Sequence, residues 1–101
     1  MAVYLIAEIE IKDQETYSRY VENVPEVIEK FGGRYLSQGG RIWPLSGNWN
    51  PERIILIEFQ TLEQLQQCFN SSEYQKIAPF RIQSTVSRSI IVEGLVPAQT
   101  L

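Results

Sequence analysis

Between Arg53 and Phe59 the chain runs through Ile54-Ile55-Leu56-Ile57 without a polar interruption. Successive side chains of a strand point to opposite sides of a sheet, so an unbroken apolar run reads as a strand buried on both faces. Whatever this sequence folds into must therefore cover both faces of a sheet. With 101 residues there is room for one domain, so few elements are at hand to do it.

The rest of the chain supplies them in order. Across residues 2–12, Val3, Leu5, Ala7, Ile9 and Ile11 alternate with Tyr4, Ile6, Glu8 and Glu10, which is strand periodicity. MAVYLIAEIEIK lacks a basic leader and reaches Glu8 early, so it reads as a first strand rather than a signal peptide or membrane span. Asp13 is placed as a helix N-cap, with Glu15 in the first turn where negative charge suits the helix dipole. Tyr17, Tyr20, Val21, Val24, Ile28 and Phe31 then follow at three- and four-residue spacing, an amphipathic helix. Pro25 is expected to bend or break it, and Gly32 to end it in a left-handed turn.

A second strand is expected over residues 34–39 and the third over Arg53–Phe59. Between them RIWPLSGNWNPE, rich in Trp, Pro and Gly, reads as a short extended piece and a turn. Thr61-Leu62-Glu63-Gln64 matches a capping box, with Leu65, Cys68 and Phe69 on one helical face behind it. Ser72-Glu73-Tyr74-Gln75 repeats the pattern and predicts a further short helix running towards Pro79. Residues 85–94 form the last strand, and VPAQTL is expected to be a loose tail. The expected organisation is one domain over residues 1–95 and a flexible tail over 96–101.

The order strand, helix, strand, strand, helix, strand predicts an α+β, ferredoxin-like βαββαβ fold. Two right-handed crossovers give a four-stranded antiparallel sheet with both helices on one face. The second face is left bare, although Ile6, Ile54, Leu56, Ile90 and Val92 would contribute to it. A second copy of the chain, packed sheet against sheet in a symmetric dimer, is the economical cover.

Several function classes are disfavoured by what the chain lacks. Its formal charge is −3 with no basic stripe, which argues against a nucleic-acid partner. RNA-recognition domains share the element order but display aromatics on the central strands, where RIILIEF has aliphatics. With no histidine and one cysteine, there is no Ser-His-Asp or Cys-His constellation, no zinc or iron–sulfur ligand set and no proximal histidine for haem; no metal and no cofactor are expected. Gly32-Gly33 and Gly39-Gly40 do not have phosphate-loop spacing. Cys68, on an apolar helix side, reads as a small core residue, and a lone cysteine fits a reducing, cytoplasmic compartment. Asn70-Ser71-Ser72 matches a glycosylation sequon by chance.

The remaining polar and aromatic residues are candidates for a site. Glu8 and Glu58 share the bare face with Ile6, Ile54 and Leu56. There they either act as partly buried proton carriers or pair with Arg or Tyr across the dimer seam. Arg34, Arg53 and Arg81 carry planar forks suited to an anionic ligand, or to surface ion pairs. Trp43, Trp49, Tyr17 and Tyr74 suit the wall of a cleft, or plain packing.

The segments YLIAEIEIKDQETYSRYVENVPEVIEKFGGRYL, GGRIWPLSGNWNPERIILIEF, FNSSEYQKIAPFR and SIIVEGL together resemble the domain of unknown function 1330 family of the dimeric α/β-barrel superfamily. The resemblance spans residues 2–95, and its most specific parts are GGRYL, GNWNPER and NSSEYQ. It implies a ferredoxin-like protomer and a homodimer whose sheets form a barrel. Superfamily relatives include cofactor-free monooxygenases, haem-degrading and dye-decolourising enzymes, isomerases and stress-response proteins. The histidine on which the haem-using relatives depend is missing here. In such relatives the ligand lies in a cleft between sheet and helices, which implies Tyr17, Arg34, Trp49, Arg53, Tyr74 and Arg81 near one pocket. Three readings follow: a dimeric binder of a small organic acid or aromatic molecule, a cofactor-independent monooxygenase- or isomerase-like enzyme using a tyrosine or glutamate, and a structural dimer without ligand.

Overall fold

The computed structural model describes residues 1–95. The elements are β1 (Val3–Ile11), α1 (Gln14–Lys30), β2 (Arg34–Gln38), β3 (Arg53–Phe59), α2 (Leu62–Asn70), α3 (Ser72–Ser84) and β4 (Thr85–Glu93). The strands form one antiparallel sheet in the order β2-β3-β1-β4. This is the α+β ferredoxin-like fold, with the second helical region divided in two. The segment expected as a tail lies outside the described residues.

Register decides which side chains meet. Along β1, Leu5 pairs with Ile57 and Ile91, Ala7 with Ile55 and Ser89, and Ile9 with Arg53 and Ser87. These positions face the helices. Tyr4, Ile6 and Glu8 pair with Glu58, Leu56 and Ile54 on β3 and with Val92, Ile90 and Arg88 on β4, all on the opposite, open face. The core forms where β1 and β3 meet the apolar stripe of α1 (Tyr17, Tyr20, Val24, Ile28), together with Phe59, Leu65, Cys68 and Tyr74.

Asp13 caps α1, its carboxylate accepting from the Thr16 N–H at 3.2 Å. The helix then passes through Pro25 unbroken, contrary to a break at that residue. The proline denies the Val21 carbonyl its usual donor, but Tyr20 and Val24 before it and Ile28 after it are all buried, and that packing carries the helix on. Gly32 closes it with φ +86°. Gly33 then lets α1 and β3 approach closely: a Cβ there would lie 2.5 Å from Ile28 Cγ2 and 2.8 Å from Phe59 Cζ.

The second cap falls one residue earlier than the sequence pattern suggests. Ser71, not Ser72, caps α3, accepting from the Tyr74 N–H at 3.1 Å while its hydroxyl donates to the Cys68 carbonyl at 2.6 Å. One serine thus ends α2 and starts α3. Nor does α3 stop at Pro79; it continues to Ser84, held by burial of Ile77, Ala78 and Ser84. The Ser84 carbonyl accepts from the N–H groups of Lys12 and Asp13, tying the end of α3 to the start of α1. Strand β2 ends at Gln38, one residue short of expectation, and is bulged at Leu36.

Candidate functional site

Between the sheet and the helices lies a cavity of about 340 Å³. Its floor is Leu5, Ala7 and Ile9 of β1, Ile55 and Ile57 of β3, and Ser87, Ser89 and Ile91 of β4. Its roof is α1, through Tyr17, Tyr20, Val21 and Val24, with Tyr74 and Arg81 of α3 beside it. Tyr35 and Gln38 reach it from β2. Ser89 and Ile91 of β4 are exposed, and the cavity opens there.

The lining is mainly apolar, with one polar corner. The hydroxyls of Tyr20 and Tyr74 lie 2.9 Å apart, and Arg81 Nε donates to Tyr74 Oη at 3.3 Å. Arg81 Nη1 donates to Ser87 Oγ at 2.9 Å, joining α3 to β4. Burial, reinforced by Tyr74, pushes the Tyr20 hydroxyl far above the ordinary phenol range, so it remains neutral. The Tyr35 hydroxyl is raised for the same first reason. Burial opposes the charge of Arg81, but the oxygens of Tyr74 and Tyr20 outweigh it and the guanidinium stays protonated. The result is a fixed cation and two coupled hydroxyls at the edge of an apolar chamber.

Three of the six residues expected near one pocket are in it: Tyr17, Tyr74 and Arg81. Arg53 shares the helix-facing side. Its guanidinium sits 5.6 Å from the centroid of the Tyr17 ring and packs against Gly39, where a Cβ would lie 2.0 Å from Nη1. Arg34 and Trp49 are not there. Arg34 lies on the open face and donates to Glu58 at 2.8 Å. Trp49 belongs to the loop over residues 40–52 and donates to Glu8 at 3.4 Å, also on the open face. Trp43, set 5.0 Å from Arg41, is exposed in the same loop. Glu8 and Glu58 each have an arginine partner within their own chain, Arg88 at 2.7 Å and Arg34 at 2.8 Å.

Residues 2–95 match the family described as domain of unknown function 1330. The chain belongs to that family. No curated protein sequence matches it. Among solved structures, this family member is similar to a Rhodopseudomonas palustris protein of unknown function, at 19% identity and a TM-score of 0.78, covering 95% of this chain and 84% of that one. It is also similar to a DABB-family protein with a ferredoxin-like fold from Mesorhizobium loti, at 10% identity and a TM-score of 0.71, over 94% and 98% of the two chains. A third is SnoaB, a cofactor-independent oxygenase from Streptomyces nogalater, at 5% identity and a TM-score of 0.65, over 96% of each chain. At these identities the likeness establishes the fold.

Sequence reasoning missed Tyr20, Tyr35, Gln38 and the β4 serines as cavity residues. Tyr20 was visible only as part of the α1 stripe, and its pairing with Tyr74 joins positions 54 residues apart. Ser87 and Ser89 stand at alternate positions of β4 on the helix side, a small polar pair where bulkier side chains would fill the opening. Cys68 is buried and its thiol is pushed up to about 11 by burial, which leaves it without thiolate character. Among the described residues no group of three or more Cys, Asp or Glu side chains could hold a metal ion.

Proposed function

We propose that this protein binds a small organic molecule, acidic or aromatic, in the cavity between sheet and helices, and does so as a homodimer. The observation that carries the reading is an open, apolar chamber with one guanidinium and a pair of tyrosine hydroxyls at its edge. A few convergent polar groups in an otherwise apolar cleft fix a ligand's orientation, while the apolar wall supplies contact. A purely structural protomer would fill such a chamber with side chains, because cores are close-packed. Dimerisation through the open face accounts for Ile90 and Val92, which stand 62% and 45% exposed in the single chain. The lone buried thiol accords with a cytoplasmic setting, and no helix among the described residues is long and apolar enough to cross a membrane.

A second reading, an enzyme of the cofactor-independent oxygenase kind, draws on the likeness to SnoaB and on the Tyr20–Tyr74–Arg81 chain. In that reading Tyr74, held by Arg81, would exchange a proton with the bound molecule.

Occluding the chamber tests binding. Ala7 lies on its floor, flanked by Ile55 and Ser89. Ala7→Phe should weaken binding of 2-naphthol or 2-naphthoate at least about tenfold, the loss for ~1.4 kcal/mol of contact, in ligand-observed NMR. Thermal melting checks that the variant remains folded. Unchanged binding by a folded variant would place the ligand elsewhere, and no binding of either probe to the wild type would remove this reading.

A further inference from the structure

Among the described residues four basic side chains have a carboxylate partner: Lys12 with Glu10, Lys30 with Glu73, Arg34 with Glu58 and Arg88 with Glu8. All four of these basic residues are exposed. The arginines that are instead half-buried, Arg53 and Arg81, have no carboxylate within ion-pair distance. This inverts the usual arrangement, in which a charge drawn out of water is the one that must be paired.

Both half-buried arginines lie on the helix-facing side of one sheet rung. Arg53 pairs with Ile9, and Ile9 pairs with Ser87, which accepts from Arg81 Nη1. Two strand spacings separate the ends of that rung, about 10 Å. Tyr17 stands over it, in contact with the Arg53 guanidinium at one side and stacked 6.0 Å from Tyr20 at the other. Of the five N–H bonds of a guanidinium, Arg81 commits one from Nε to Tyr74 and one from Nη1 to Ser87, both neutral oxygens. Arg53 Nε is buried with no hydrogen-bond partner. The cavity wall contains no Asp or Glu among the described residues. The rung therefore carries two arginines without an ion-pair partner, and Arg81 of the two lines the apolar chamber.

We propose that the cavity's ligand is a carboxylic acid with an apolar, ring-sized body, whose carboxylate supplies the missing counter-charge at Arg81. The inference rests on the binding role of the cavity and narrows its ligand class. The remaining N–H groups of Arg81 suit the two oxygens of a carboxylate, and the apolar floor of Ala7, Ile55 and Ile57 suits the body. The Tyr74 hydroxyl, already oriented by Arg81, fixes the angle of entry. Arg53, at the other end of the rung, adds a field that favours an acid over a neutral or basic analogue.

The test compares 2-naphthoate with 2-naphthamide, which has the same ring body and no charge, by isothermal titration calorimetry. The acid should bind the wild type roughly ten- to a hundredfold more tightly, the range for a charge-assisted pair in a partly dry site. In Arg81→Gln, with folding checked by thermal melting, that preference should fall to within about threefold. Equal binding of acid and amide to the wild type overturns the acid assignment while leaving the cavity as a binding site, and needs no variant. An acid preference undiminished in folded Arg81→Gln also overturns it. No binding of either probe removes the cavity reading together with this one.

Discussion

Arg34 and Arg53 stand on neighbouring strands and finish on opposite faces of the sheet. Arg34 pairs in register with Glu58, on the open face, and Arg53 with Ile9, on the helix face. That difference is a matter of parity, and parity along β2 is altered by the bulge at Leu36, which sets Tyr35 and Ser37 on opposite sides. Residue type alone could not place these arginines, because each carries the same fork and either face accepts it. Gly33 is the opposite case, where residue type is the whole signal. It is buried at the crossing of α1 and β3, so Gly33→Ala must push against Ile28 and Phe59, both fully buried. Loss of about 1–3 kcal/mol of stability is expected from overpacking of this kind, read as a fall in the urea midpoint. A midpoint equal to wild type would mean that the approach is looser than the geometry indicates.

At the scale of elements, most of the fold could be read from the chain. The stripe of α1 announces itself because its apolar residues keep to one face, and the Asp13 and Thr61 caps announce themselves because few residue types accept from a helix's free N–H groups. The third helix was harder. Its apolar residues do not keep to one face, since Ile77 and Ala78 are buried while Ile82 is exposed. Pro79 also reads locally as a stop. What overrides that local signal is tertiary: Tyr74 packs edge-on to Phe69 at 4.7 Å, and Ser84 ties α3 back to Lys12 and Asp13. Lys30, at the end of α1, pairs with Glu73 in the first turn of α3 and holds that carboxyl near 2, fixing α1 and α3 side by side over the cavity. None of these contacts has a periodicity, so the cavity's polar corner could not be read from the chain in advance, although Tyr74 and Arg81 themselves could be nominated.

At the scale of the molecule, the helices cover one face of the sheet, and the other carries Ile6, Ile54, Leu56, Ile90 and Val92 between two ion pairs. The apolar run of β3 foretold this division, because Ile55 and Ile57 serve the core while Ile54 and Leu56 serve the far side. Self-association through that face predicts that Leu56→Asp will convert a dimer into monomer or aggregate by light scattering. A charge there would be buried without a partner, at several kcal/mol. An unchanged dimer would put the interface elsewhere. The two faces thus have separate expected roles, pairing on one and ligand binding on the other.

Methyl-resolved NMR during titration with 2-naphthoate separates those roles in one measurement. Shifts concentrated at Val24, Ile55 and Ile57, with Ile54, Leu56 and Ile90 unmoved, are the result expected if the helix-side cavity is the binding site. Shifts concentrated at Ile54, Leu56 and Ile90 would contradict it and move the site to the open face.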